Sequence, residues 1–317
     1  MKVLITGASG FLGRHLLSTL LESTDYDLVG AIRGEGKTVS DRENYISIGD
    51  LSSSTDWGHA LVNVDVVVHL AARAHVLIDS CDDPVAEFRR VNVDATIALA
   101  RQCMEYGVKR FVFVSSIGVN GSMTLETPFN EESVPQPHAD YAESKLQAEV
   151  ELWKVTQDSL MELVVIRPPL VYAVDSPGNF SRLLYLVNAG LPLPLGTVKN
   201  QRSMIALDNL IDFMRICIVS RAAANELFLV SDGKSFSTPE IIRLVAKGMG
   251  KRSFLVPVPE MLLRCVAAIL RRGPMYIQLC KSLVIDSNKA QDVLRWSPPI
   301  DPVDALVRVG KDFKSLH

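Results

Sequence analysis

A chain of 317 residues, 48% hydrophobic and 22% charged, has the make-up of a folded, enzyme-sized protein with length for one large or two modest domains. Its net charge of -3 excludes a global attraction to nucleic acid or to an anionic bilayer, so nucleic acid is not an expected partner. Five cysteines (Cys81, Cys103, Cys217, Cys265, Cys280) lie far apart without a Cys-x-x-Cys pair, and the six histidines stand at no metal-ligand spacing from them, which predicts reduced thiols and no bound metal.

The first thirteen residues carry the strongest local signal. The apolar run Val3-Leu4-Ile5 feeds into Thr6-Gly7-Ala8-Ser9-Gly10-Phe11-Leu12-Gly13, and an amphipathic segment follows, so strand, glycine turn and helix stand in order. That order builds a cradle for a nucleotide diphosphate: Gly7 permits the tight turn, Gly10 lets the backbone approach a pyrophosphate, and Gly13 lets the new helix pack on the sheet. Because the chain opens on this strand, no signal peptide is expected and a cytoplasmic location follows.

Further short β-rich runs at Leu28–Ile32, Tyr45–Ile48, Val66–Leu70, Phe111–Ser115, Val164–Arg167 and Leu227–Val230 alternate with helical patterns, among them Pro84 to Tyr106 and Ala139 to Thr156. This rhythm predicts an α/β fold with a doubly wound parallel sheet. After Arg167 it breaks into proline-punctuated segments, Pro168-Pro169, Pro177-Gly178 and Leu191 to Gly196, and the last third reads as mostly helix. We therefore expect a nucleotide domain over 1–170, with 203–232 returning to it, and a smaller substrate domain from 171–202 and 233–317. The apolar stretch Met261 to Leu270 is broken by Arg264 and ends at Arg271-Arg272, too short for a bilayer span. It reads as a core or interface helix, with docking on a membrane enzyme the less favoured alternative.

Tyr141-Ala142-Glu143-Ser144-Lys145 opens a helical pattern in which the i, i+4 spacing sets the Tyr141 phenol and the Lys145 ammonium on one face. A cation beside a phenol favours the phenolate and makes it a usable proton carrier. Ser115 and Ser116 end the strand Phe111–Val114, at the carboxyl edge where this architecture binds ligands. Together with Thr6–Gly13, Asp50-Leu51, His69-Leu70-Ala71-Ala72 and Asn92, these residues resemble an extended short-chain dehydrogenase/reductase of the nucleotide-sugar epimerase/dehydratase family. Arg167-Pro168, Gly178-Asn179-Phe180, Gln201-Arg202-Ser203 with Asp208, and Val293 to Pro298 extend the resemblance toward the C-terminus.

The resemblance implies a Rossmann-type nucleotide domain with Ser116, Tyr141 and Lys145 as the catalytic set. Ser116 would bond the reacting sugar oxygen, Tyr141 would carry its proton, and Lys145 would hold the nicotinamide ribose and lower the Tyr141 pKa. The nucleotide would contact Gly7, Ser9, Gly10, Phe11, Leu12, Gly13, Leu51, Leu70, Ala71, Ala72, Asn92 and Pro168 as well, with Asp50 facing the adenine edge. A turn or capping carboxylate is the equally weighted alternative for Asp50. Ser115, Ser116, Asn179 and Arg202 would bind a UDP-sugar, Arg202 and Asn179 at its diphosphate. A surface position near a turn is the other reading of Arg202. By analogy with dimeric relatives, the two long helices would pair two copies.

Two features bear on which family member this is. Dehydratases of the family resemble one another in a Thr-Asp-Glu run where this chain has Ser116-Ile117-Gly118, and neither Ile117 nor Gly118 moves a proton. At the end of the second strand, where NAD-dependent relatives carry Asp, Gly30-Ala31-Ile32-Arg33-Gly34 offers a guanidinium suited to a 2′-phosphate. NADP is thus favoured over NAD, and the leading expectation is a reductase of a UDP-4-keto-6-deoxy-N-acetylhexosamine for bacterial surface polysaccharide. An NAD-dependent UDP-sugar 4-epimerase is the first alternative. A non-sugar carbonyl reductase and a dinucleotide-binding sensor without turnover complete the set. Leu170 departs from the family, whose members carry Asn three residues after the Arg that ends the sixth strand.

Overall fold

The computed structural model describes residues 1–34, 44–74 and 83–317. Seven strands form the main sheet: β1 (Lys2–Thr6), β2 (Asp27–Ile32), β3 (Tyr45–Ser47), β4 (Val66–His69), β5 (Arg110–Val114), β6 (Glu162–Arg167) and β9 (Glu226–Leu229), in the order β3-β2-β1-β4-β5-β6-β9. The expected doubly wound sheet is present, and the pairings from β3 across to β6 are all parallel. Leu4, Ile5, Val67, Val68, Phe111, Val112, Leu163 and Val164 are fully buried, so successive strand residues are covered on both faces and the strands read as unbroken apolar runs.

Helices α1 (Phe11–Ser23), α2 (Gly58–Leu61), α3 (Pro84–Arg89), α4 (Ala95–Glu105), α5 (Asp140–Thr156) and α7 (Leu207–Val219) accompany these strands. The segment read from sequence as one helix over 84–106 has a break in its regularity: between α3 and α4, Arg90–Asp94 forms a π-helical turn that widens the backbone by one residue.

The remaining elements are β7 (Leu170–Tyr172), α6 (Asn179–Asn188), β8 (Arg202–Ala206), β10 (Ser235–Phe236), α8 (Thr238–Gly248), α9 (Glu260–Ile269), α10 (Gly273–Cys280), α11 (Asn288–Leu294) and α12 (Pro302–Leu316). A second sheet runs β10-β8-β7, beside a core that includes Leu184, Ile242, Leu306 and Phe313. Helix α8 starts at a Ser237/Glu240 capping box, the local reason it begins where it does.

The chain divides into one unit of 1–119, 135–167 and 211–228 and another of 120–134, 168–210 and 229–317. These limits differ from those expected. Residues 203–210 and 229–232 belong to the second unit, where the buried Asp232 carboxylate accepts from the Ala206 amide and from Asn209 Nδ2. Residues 211–228 belong to the first, where Arg110 Nη1 donates to the Cys217 and Ile218 carbonyls at the end of α7 (2.7 and 3.0 Å). Cys103, Cys217 and Cys280 are buried free thiols and Cys265 is an exposed one; Cys81 lies outside the described residues. No described helix is long and apolar enough to cross a membrane, and no group of metal ligands occurs among the described residues.

Candidate active site

The glycine turn is shaped by close backbone approach. Gly7 has φ +66°, and a Cβ there would sit 2.8 Å from the Ala71 amide nitrogen, so the turn presses against the end of β4. A Cβ on Gly13 would lie 2.2 Å from the Gly7 carbonyl oxygen, which only glycine avoids. Helix α1 then starts with no side-chain cap and no acidic residue in its first turn, leaving the amide end of its dipole for an anion. Ser9 and Gly10 are exposed there, and Phe11 and Leu12 half-buried.

Ser115 and Ser116 follow β5 directly. Ser116 Oγ accepts from the Gly118 amide at 3.1 Å, which leaves its proton to donate. Ser115 Oγ is buried with no hydrogen-bond partner among the described residues. Tyr141 and Lys145 lie on the first turns of α5. The Tyr141 ring meets the edge of Phe88 with centroids 6.4 Å apart. Lys145 is buried, its Nζ 4.1 Å from the centroid of the Phe113 ring and without a hydrogen-bond acceptor among the described residues.

Burial governs both titrations. It pushes the Tyr141 phenol up to about 12 and the Lys145 amine down to about 7, the latter partly opposed by the Glu149 carboxylate. The expected lowering of the Tyr141 pKa by Lys145 is not seen in the protein alone, where burial is the cause that acts on the phenol.

Beneath these groups runs a buried chain of hydrogen bonds. The Leu70 and Ala71 amides both donate to Thr6 Oγ1 at 3.2 Å, and Thr6 Oγ1 lies 2.8 Å from His69 Nδ1. His69 Nε2 lies 3.0 Å from Thr96 Oγ1, whose own proton goes to the Asn92 carbonyl at 2.8 Å. Hydrogen balance therefore makes His69 the neutral Nε2–H tautomer, and burial pushes its pKa down to about 3. The Asn92 side chain receives the Arg73 amide and donates to the Arg73 carbonyl and to Ser144 Oγ, which donates to the Tyr141 carbonyl. Asn92, expected at the nucleotide, thus spends its amide hydrogens on the protein and braces the turn that carries Tyr141. Thr6, His69, Thr96 and Ser144 escape sequence reasoning as a group because 27 to 63 residues separate bonded partners.

The other expected contacts are distributed. Leu51 is buried, and Leu70, Ala71 and Ala72 are half-buried after β4. Asp50 Oδ2 accepts from Arg90 Nη1 at 3.1 Å and caps no helix. Arg33 is exposed at the end of β2 and has no hydrogen bond or ion pair among the described residues. Pro168, Asn179 and Arg202 belong to the second unit. There Asn179 bonds Gln278, and Arg202 Nη1 donates to the Lys281 carbonyl at 3.3 Å. The buried Asn200 also donates to the Leu279 and Lys281 carbonyls, fixing the strand of chain that Arg202 meets. Arg202 has no carboxylate partner among the described residues, and burial lowers its guanidinium to about 10.

A cavity of about 530 Å³ at the amino-terminal edge of the main sheet contains none of these residues. Its charges are spent on one another, Lys109 on Asp65 at 2.7 Å and Arg110 on Glu162 at 2.6 Å.

Residues 3–230 match the NAD dependent epimerase/dehydratase family. The chain belongs to that family. It is similar to a UDP-glucose 4-epimerase of Vibrio cholerae, 39% identical over 300 residues that cover 94% of this chain and 91% of the relative. It is 28% identical to the N-acetyl-alpha-D-glucosaminyl-diphospho-ditrans,octacis-undecaprenol 4-epimerase of Escherichia coli O157:H7, over 81% of this chain and 76% of that one. The fold matches the crystal structure of a UDP-glucuronic acid 4-epimerase from Bacillus cereus in complex with NAD, with TM-score 0.79 and 22% identity over 100% of this chain and 99% of that chain.

The site fits the nicotinamide dinucleotide that the family name implies: an uncapped helix start behind a glycine turn for a pyrophosphate, and a buried amine with no hydrogen-bond acceptor among the described residues for a ribose. That amine is costly in the free protein. Unfolded, Lys145 keeps its proton up to about pH 10.5; folded, it releases it near 7, so stability rises as pH climbs through that window. Lys145→Met is expected to raise the melting temperature at pH 7 by several degrees and to flatten its rise toward pH 10, while turnover is lost. Calorimetry across this range checks it; a lower melting temperature at pH 7 contradicts it.

Proposed function

We propose that this enzyme transfers hydride at carbon 4 of a UDP-linked hexose derivative, and that it runs as a net NADPH-consuming reductase of a UDP-4-keto-6-deoxy-N-acetylhexosamine serving bacterial surface polysaccharide. Bound NADPH supplies the hydride. The chain's residues manage position and protons: Ser116 donates to the sugar oxygen, Tyr141 delivers the proton that converts carbonyl to hydroxyl, and Lys145 bonds the nicotinamide ribose. Arg202 and Asn179 hold the UDP diphosphate, a role suited to a half-buried guanidinium without a carboxylate partner. Single-carbon chemistry is supported by Ile117 and Gly118, which supply neither the acid nor the base that dehydration requires.

The observation that carries the reductase reading is Arg33, a guanidinium with no partner among the described residues, at the end of the strand beside the glycine turn. A 2′-phosphate would give it a charge-assisted partner, and an exchangeable NADPH suits a reaction that consumes reductant each turnover. The second reading, a 4-epimerase retaining NAD, is favoured by the name of the Vibrio cholerae relative. Pairing of two copies through α4 and α5 is the proposed assembly, supported by exposed Tyr106 and Val150 on those helices' surfaces and ends.

Fluorescence titration of the stripped protein separates the two. The reductase reading expects NADPH to bind more tightly than NADH, with Arg33→Ala weakening NADPH by about 10- to 100-fold and NADH little. Purified protein carrying tightly held NAD, with equal affinity for NADH before and after the substitution, establishes the epimerase reading instead.

A further inference from the structure

Helix α9 is turned the wrong way round for a surface helix. In an ordinary one the apolar stripe meets the core and the polar face meets water. Here Ala267 is the buried residue and Leu263 is half-buried, while Met261 and Ile269 are 79% and 80% exposed. At about 100° per residue, Met261, Leu262, Cys265, Val266 and Ile269 share an arc of about 140° that lies opposite Leu263 and Ala267. All five are exposed, and Leu270, Met275 and the entering residues Phe254 and Val256 add to the apolar surface.

The orientation is fixed. At the start of the helix, Glu260 Oε1 accepts from Tyr276 Oη and Lys281 Nζ, both at 2.7 Å, which ties α9 to α10 and the residue that follows it. Charge accompanies the apolar arc. Residues 251–275 contain Lys251, Arg252, Arg264, Arg271 and Arg272 against the one carboxylate of Glu260, in a chain whose net charge is -3. Arg264, Arg271 and Arg272 are exposed. An outward apolar strip bordered by cations matches the boundary between the acyl and headgroup layers of an anionic bilayer, where long basic side chains reach the phosphates. Self-association across this face would set the same arginines against their copies.

We infer that α9 is an interfacial helix that docks this protein on an anionic lipid surface. The test is cosedimentation of the full-length protein with vesicles of phosphatidylcholine alone and of phosphatidylcholine mixed with phosphatidylglycerol. The expected result is at least about tenfold stronger binding to the anionic vesicles, weakened by salt. It should be lost in a Val266→Glu, Ile269→Glu double variant whose circular dichroism and nucleotide binding are unchanged, as exposed positions allow. Three results overturn the inference: wild-type protein left in the supernatant with anionic vesicles, binding undiminished in the double variant, or a wild-type self-association that the variant abolishes, which makes the face a contact between copies.

Discussion

Tyr141→Phe is expected to lower turnover by about 10²- to 10⁴-fold while nucleotide affinity changes little. The phenyl ring keeps the same outline, so the edge contact with Phe88 and the hydrogen bond from Ser144 to the Tyr141 carbonyl survive. Only the hydroxyl, and with it the transferable proton, disappears. With burial holding the phenol up to about 12, Tyr141 is protonated across the neutral range and is poised to give its proton, the direction reduction of a carbonyl requires. Single-turnover kinetics beside a nucleotide titration checks this; a variant with wild-type turnover removes Tyr141 from the chemistry.

Glu149→Ala is expected to cost about 3–5 kcal/mol of stability. Glu149 and Arg167 are both buried, and the Arg167 Nε donates to Glu149 Oε1 at 3.0 Å and Oε2 at 3.2 Å, joining α5 to the end of β6. Truncating the acid strands a guanidinium away from water, a far larger penalty than the net worth of the pair. The same substitution removes the one carboxylate that favours charge on Lys145, so its amine should shift further below about 7. Urea unfolding reads the first effect, and the pH dependence of the melting temperature reads the second. A variant within 1 kcal/mol of wild type, measured against the roughly 3–5 kcal/mol expected, would show that water reaches Arg167.

What was legible in the sequence is what is local. The glycine turn, the apolar strand runs and the Tyr141 to Lys145 spacing each occupy a few consecutive residues, and each fixes its own geometry. The sheet followed because parallel strands covered on both faces leave continuous hydrophobic runs. The bracing under the site was hidden for the opposite reason: Thr6, His69, Asn92, Thr96 and Ser144 come from β1, β4, the π-turn, α4 and α5, and become neighbours only when the sheet closes. Spacing put Tyr141 and Lys145 on one face but said nothing of water, so the burial that raises the phenol and lowers the amine had no signature. The apolar stretch 261–270, read as a core or interface helix, likewise gave no sign of which side is packed, and most of its apolar residues are exposed. Residues 120–134, expected in the nucleotide domain, fall in the second unit, where Phe129 pairs with Ile285 and its amide donates to the Val284 carbonyl.

The π-turn at Arg90–Asp94 has a consequence for how this chain tolerates changes in length. One surplus residue puts the helix before it and the helix after it out of phase by about a quarter of a turn. Arg90, gripping Asp50 and the Leu51 carbonyl, and Asn92, gripping Arg73 and Ser144, are set by that phase offset. Removing any single residue between Phe88 and Thr96 would leave a more regular helix, yet it would rotate one set of contacts away from its partners. Indels in this stretch are therefore damaging even when every substitution of side chain is mild, and the surplus residue acts as a keyed joint between the two halves of the helix.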